Sequence, residues 1–170
     1  MRYFGVIPND IVNGVGVCVS FWTQGCPEPH CKGCHNKKGL DFNGGSILPE
    51  DYLTTIDRLI TQNNVFRNLS ILGGEPLCMQ NIELTESILK YEKKRHPKIK
   101  TFVWTKYKYE DIYYHSVFNY IDILIDGPFV LEKRDITLPL RGSMNQRIID
   151  VPKSIKNKEA VIIKDSEFFK

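Results

Sequence analysis

The chain has 170 residues and a formal net charge of +3, with 42% hydrophobic and 25% charged residues; that is enough for one domain with a hydrophobic core and ordinary for a globular protein. The small charge, spread over interspersed acids and bases, gives no reason to expect a nucleic-acid partner, and the lack of a secretory h-region or an apolar run of transmembrane length points to a cytoplasmic protein with no membrane partner. Five cysteines, three of them clustered, fit metal binding in a reducing compartment better than a disulfide framework.

Residues 3–7 read as a short extended segment, with Pro8-Asn9-Asp10 and Asn13-Gly14 as punctuation. Residues 15–22, rich in β-branched and aromatic side chains, predict a strand. From its end leaves a loop carrying Cys26, Cys31 and Cys34 in the spacing C-x4-C-x2-C. Leu48-Pro49-Glu50-Asp51 has the proline and acids of a helix start, and Leu53, Ile56, Leu59 and Ile60 give that helix one apolar face. Residues 68–72 predict a strand that runs into Gly73-Gly74-Glu75-Pro76, and residues 81–94 a helix closed by Pro97. Then come a strand over 99–104 followed by Thr105-Lys106-Tyr107, a short helix over 110–118, and a strand over 121–125 ending in Asp126-Gly127-Pro128. Residues 140–147 read as a polar loop, 148–151 as a short strand and 160–163 as another.

This alternation predicts an α/β fold with mostly parallel strands, in one domain over residues 1–170 with a core of about 3–151 and a short C-terminal extension, 152–170. A full eight-stranded barrel takes about 250 residues, so a partial, open (β/α) barrel suits the length. The cysteine loop, Gly73 to Pro76, Thr105 to Tyr107 and Asp126 to Pro128 each follow a predicted strand. In a parallel sheet they converge on the rim where such folds keep active sites.

Three thiolates without an obvious fourth suit an iron–sulfur cube with one iron left open to a small molecule. The alternative from spacing alone is a structural zinc site completed by His30 or His35. Cys18 and Cys78 read as buried thiols. Two glycines at a strand end allow close approach of a ligand, and Glu75 is placed to accept from an ammonium, although a tight turn with a capping acid explains the same residues. Asp126, Thr105 and Lys106 read equally as turn residues, and Arg141, Asn145, Gln146 and Arg147 as a solvated loop or a docking surface.

The cysteine triad, Gly-Gly-Glu-Pro and the strand-end aspartate, in this order, resemble the radical S-adenosylmethionine superfamily. The segments Asn9-Asp10-Ile11-Val12-Asn13-Gly14, Cys31-Lys32-Gly33-Cys34-His35-Asn36, Asp41-Phe42-Asn43-Gly44-Gly45, Asp126-Gly127-Pro128-Phe129 and Arg141-Gly142-Ser143-Met144-Asn145-Gln146-Arg147 look like those of the anaerobic ribonucleotide reductase activating proteins. The resemblance implies a 4Fe–4S cluster held by Cys26, Cys31 and Cys34, which act in catalysis through it, and S-adenosylmethionine chelating the fourth iron. It implies that the reduced cluster cleaves that molecule and that a 5′-deoxyadenosyl radical takes a hydrogen atom from a glycine Cα of the large reductase. Gly73, Gly74 and Glu75 would hold the methionine end, and Cys34 and its neighbours Gly33 and His35 would face the adenosyl moiety, with Thr105 and Asp126 as further contacts. A reducing electron donor such as a flavodoxin is a second implied partner. The chain departs from the superfamily's usual C-x3-C-x2-C by one residue between Cys26 and Cys31. It also has Gly33 where many members carry an aromatic, and Lys106 where relatives often have glycine. Outside this family, the residues leave open another small radical S-adenosylmethionine enzyme or a non-catalytic zinc or iron–sulfur module.

Overall fold

The computed structural model describes residues 1–168; residues 169 and 170, the end of the expected extension, lie outside the described residues. Seven strands form one open sheet: β1 (Arg2–Asp10), β2 (Cys18–Thr23), β3 (Ser46–Ile47), β4 (Asn68–Gly73), β5 (Thr101–Trp104), β6 (Ile123–Asp126) and β7 (Arg147–Asp150). Their order is β3-β1-β2-β4-β5-β6-β7. The central strands β2, β4, β5 and β6 are mutually parallel, whereas β1 pairs antiparallel with β2 and β3, and β7 antiparallel with β6. The mixed α/β class and the open sheet agree with the sequence reading.

Side-chain alternation explains how the two faces differ. Val19, Phe21, Leu69, Ile71, Val103 and Leu124 project to one face and pack against helices α1 (Tyr52–Thr61) and α2 (Ile82–Arg95) through Ile56, Ile60, Leu84, Ile88 and Leu89. The intervening positions, Ser20 and Ser70, are small, polar and fully buried. They are small because the β1–β2 connection lies over them. Ser20 Oγ donates to Asp10 Oδ2 at 2.6 Å, and Ser70 Oγ donates to the carbonyl of Asn13. Gly14 sits so close that a Cβ there would meet Cys18 Sγ and the side chains of Ser70 and Phe102. Further along the same face, Trp22, Leu72 and Trp104 are left to line a cavity at the carboxyl ends of the parallel strands.

Several element boundaries differ from expectation. β1 runs on to Asp10, and β2 starts only at Cys18 because Gly14 and Gly16 adopt left-handed backbone. The helix expected over 110–118 is two short pieces, α3 (Tyr109–Ile112) and a 3₁₀ segment Ser116–Tyr120, separated by extended backbone at His115. The strand expected over 148–151 is β7, one residue earlier. Val151 instead opens helix α4 (Val151–Asn157), with Pro152 in its first turn and the Asp150 carboxylate accepting from Lys153 N. Residues 160–163 form one bridge, Ile149 to Ile162, and not a strand; a last short helix, α5 (Asp165–Phe168), follows. Among the described residues no helix is long and apolar enough to cross a membrane.

Asp10 holds the β1–β2 connection by accepting from Val12 N, Asn13 N, Asn13 Nδ2 and Ser20 Oγ. Burial raises its pKa, but the hydrogen bonds from Asn13, Ser20 and Val12 outweigh that and leave it below the ordinary carboxylate value. A depressed carboxyl pKa adds stability that is complete above the unfolded value, about 4, and is lost as the pH falls through the folded one. Asp10→Asn is therefore expected to cost about 1–3 kcal/mol at neutral pH and to flatten the loss of stability below pH ~4, as measured by urea unfolding across the acid range.

Candidate functional site

The cysteine loop leaves β2 and is tied back at its base. Gly25 N donates to Gly39 O at 2.8 Å, Cys26 N to Leu40 O at 2.9 Å, and Gln24 Nε2 to the carbonyls of Lys38 and Asp41. Within the loop a tight turn, Cys34 N to Cys31 O at 3.1 Å, brings the second and third cysteines together. The longer first interval, with its two prolines, is fastened from outside: Lys106 Nζ donates to the carbonyls of both Pro27 and Pro29. His30 is turned inward on its own loop, with Nε2 2.8 Å from Cys26 O and Nδ1 3.0 Å from Glu28 Oε1. Its ring is thus committed to an oxygen on each side and is not one of the residues lining the cavity.

The β4 exit lies directly beside this loop. Gly74 N donates to Thr23 O at 2.9 Å and Glu75 N to Gly25 O at 2.8 Å. A Cβ on Gly74 would collide with the carbonyl of Gly25, and Gly73 has a φ of +118° against the Thr23 backbone, so both positions require glycine. Asn81, just before α2, donates from one amide nitrogen toward the carbonyls of Gln24, Gly25 and Glu75. The Glu75 carboxylate, 1% exposed, accepts from Leu77 N and Thr105 Oγ1 on Oε1 and from Lys106 N on Oε2. Burial pushes its pKa up despite those three donors. A carboxylate offers about four acceptor positions, so Oε2 keeps one for a ligand.

One cavity of about 130 Å³ is lined by Cys26, Cys31, Cys34, His35, Gly73, Gly74, Glu75 and Thr105, together with Trp22, Lys106, Phe129 and Gln146. It shares His35, Leu72, Trp104, Phe129 and Gln146 with a groove of about 650 Å³ that Gly33 lines. Eight of the nine predicted positions thus sit on this cavity, and Gly33 sits on its extension. Asp126 is different. It is fully buried and outside the cavity lining, with Oδ1 accepting from Arg147 Nε at 2.9 Å and Oδ2 accepting from Tyr109 N and Arg147 Nη2. Thr105 acts through Glu75, and Lys106 through the cysteine loop. Lys106, Asn81 and Gln146 are site residues that spacing did not single out. A lysine after a strand and an asparagine before a helix carry no signal of their own. Gln146 anchors the 140–147 loop, accepting from Gly142 N and Ser143 N and donating to Gly127 O. Arg141 and Arg147 are held in ion pairs with Asp165 and with Asp126 and Glu110.

The donor set fits an iron–sulfur cube better than a single zinc ion. The three sulfurs are not gathered within 4.8 Å of one another, whereas a tetrahedral zinc with 2.3 Å bonds would hold them about 3.8 Å apart; a cube takes each thiolate on a different iron. Burial pushes the Cys26 thiol up to about 11, with Lys106 opposing, so binding must displace its proton. The indole N–H of Trp22 is buried with no acceptor, an unmet donor in the wall of a cavity that would hold a ligand.

A profile described as a 4Fe-4S single cluster domain matches residues 12–149. The fold and site are thus those of a single-cluster iron–sulfur protein. Over 151 residues, 87% of the chain, the sequence is 33% identical to 97% of the anaerobic ribonucleoside-triphosphate reductase-activating protein of Haemophilus influenzae. It is 33% identical over 87% of its length to 93% of the protein of that name from Enterobacteria phage T4, and 32% identical over 86% to 96% of that from Escherichia coli K12. The chain belongs to the family of anaerobic ribonucleoside-triphosphate reductase-activating proteins.

Lys106 replaces a backbone connection that the longer Cys26–Cys31 interval cannot make for itself. Lys106→Met keeps the stem and removes the ammonium. It is expected to speed loss of the cluster to a chelator by about tenfold or more, as for other groups that orient metal ligands, measured by the decay of cluster absorbance.

Proposed function

We propose that this chain activates an anaerobic ribonucleotide reductase as a radical S-adenosylmethionine enzyme. The observation that carries the proposal is that three thiols and the Gly73-Gly74-Glu75 turn line one cavity at the carboxyl ends of parallel strands, in a chain whose relatives are named as activating proteins of that reductase. Residues 1–170 are read as one domain, a partial and open (β/α) barrel.

Cys26, Cys31 and Cys34 would hold the cluster, leaving one iron without a protein thiolate. When bound, the cluster supplies the electron that splits the sulfonium of S-adenosylmethionine, and the 5′-deoxyadenosyl radical takes a hydrogen atom from a glycine Cα of the reductase. The chain's own residues bind and orient. The remaining acceptor position on Glu75 Oε2 receives the ammonium of the methionine end, with Thr105 and the Lys106 amide fixing the carboxylate. The bare backbone at Gly73 and Gly74 admits the same end of the ligand. His35, edge-on to Trp22 at 6.5 Å, and Gly33 border the groove into which the adenosyl group extends. Asp126 contributes by holding Arg147, and through it the base of the 140–147 loop. That loop would meet the reductase. Its two arginines are engaged internally, so contact falls to Met144, which is 62% exposed, and to Asn145. A low-potential donor such as a flavodoxin would reduce the cluster.

The test is anaerobic incubation of the reconstituted chain with the reductase, S-adenosylmethionine and a chemical reductant. Expected are 5′-deoxyadenosine by chromatography and a glycyl radical on the reductase by electron paramagnetic resonance. Both should vanish in Cys26→Ala, Cys31→Ala and Cys34→Ala and survive in Cys18→Ala and Cys78→Ala. Met144→Ala with Asn145→Ala should lower the radical yield while leaving cleavage without the reductase unchanged. Cleavage with no radical on the reductase would point to a different substrate, and bound zinc with no cleavage would overturn the enzymatic reading.

A further inference from the structure

Outside the cysteine cavity, the helix layer carries a polar cluster that the proposed activity does not use. Asp57 on α1 and Glu92 and His96 at the end of α2 bring their ligand atoms within 4.8 Å of one another. His96 Nε2 is 2.8 Å from Asp57 Oδ1 and 3.9 Å from Glu92 Oε2. The i, i+4 spacing puts Glu92 and His96 on one helix face. Glu92 is the unusual member. Its side chain is wholly buried, and neither carboxylate oxygen has a hydrogen-bond partner.

A buried carboxylate without partners is strongly unfavourable. Taking up a proton lowers the charge but leaves both oxygens unpaired, whereas a cation satisfies the carboxylate directly. Burial, with the neighbouring Asp57 charge, pushes the Glu92 pKa up to about 8, opposed by Arg95, which marks how little the surroundings do for its anion. One imidazole nitrogen and two carboxylates make a donor set suited to first-row divalent ions. With bonds of about 2.1 Å, tetrahedral donors lie about 3.4 Å apart, between the 2.8 and 3.9 Å observed. The cluster also sits at the carboxyl end of α2, where the helix dipole favours positive charge. Arg95 donates to Asp57 Oδ1 at 2.8 Å, but its side chain is 52% exposed and stacks over Tyr91, so it can give way to an ion. Phe66 covers the His96 ring edge-on at 5.6 Å.

We propose that Asp57, Glu92 and His96 form a binding site for a divalent cation of the zinc class, which fastens α1 to α2 apart from the cysteine cavity. The site does not depend on the proposed activity.

The test uses the full chain loaded with its cluster, so that Cys26, Cys31 and Cys34 are occupied, and titrates it anaerobically with Zn²⁺. The readouts are retained zinc after gel filtration, iron content and the thermal midpoint. Expected is one zinc equivalent with unchanged iron and a rise in midpoint. In Glu92→Gln and His96→Gln the zinc should bind about tenfold or more weakly and the rise should vanish. Glu92→Gln removes a buried charge at constant shape, and its midpoint without metal verifies that it folds; Asp57→Asn is the second variant should it not. No retained zinc in the wild-type chain, or equal zinc in all variants, would overturn the site.

Discussion

The site rests on the parallel pairing of β2 with β4 and its continuation past the strand ends. The two strands run in register from Cys18 with Asn68 to Thr23 with Gly73, and the ladder goes on through Gly74 N to Thr23 O and Glu75 N to Gly25 O. Those last two bonds seat the residues before Cys26 against the residues before Glu75. They exist only because Gly74 has no side chain to collide with the Gly25 carbonyl. The cysteine loop and the Gly-Gly-Glu turn therefore adjoin as a consequence of backbone geometry, before any ligand is bound. Asn81 reinforces the junction from the head of α2 with one side chain reaching three carbonyls.

Around that junction the buried polar groups are arranged in series. Thr105 and the Lys106 amide, at the end of β5, fix the Glu75 carboxylate, and the Lys106 ammonium fixes the proline-rich half of the cysteine loop. One two-residue segment thus orients both halves of the cavity, so a displacement of β5 would disturb ligand and cluster positions together. At the far end of the sheet, Arg147 on β7 joins Asp126 and Glu110, which holds Gln146 against Gly127 on the cavity wall.

The order of elements and the meeting of three strand-end motifs were legible in the sequence because each carries a local signal: β-branched runs, paired glycines and closely spaced cysteines. What was not legible depends on partners distant in the chain. The small serines at positions 20 and 70 look like interruptions of apolar strands until the β1–β2 connection is seen lying on them. Asp126 carried the expected strand-end acid, but its role depends on Arg147, 21 residues away. Helix α4 was missed although Asp150 and Pro152 are proper start signals, because the apolar run before them dominated. The helix over 110–118 broke because burial of Tyr109, Ile112, Val117 and Phe118 against the sheet outweighed continuous helical spacing.

The central claim is that three thiolates leave one iron of the cluster open beside Glu75. The most direct measurement is electron paramagnetic resonance of the reduced, reconstituted chain alone, with and without S-adenosylmethionine and with no reductase present. A 4Fe–4S signal whose g values shift on adding S-adenosylmethionine, and which shifts less at the same concentration in Glu75→Gln, is the predicted result. A signal that S-adenosylmethionine leaves unchanged would contradict the account, because the cluster would then have no iron open to the ligand.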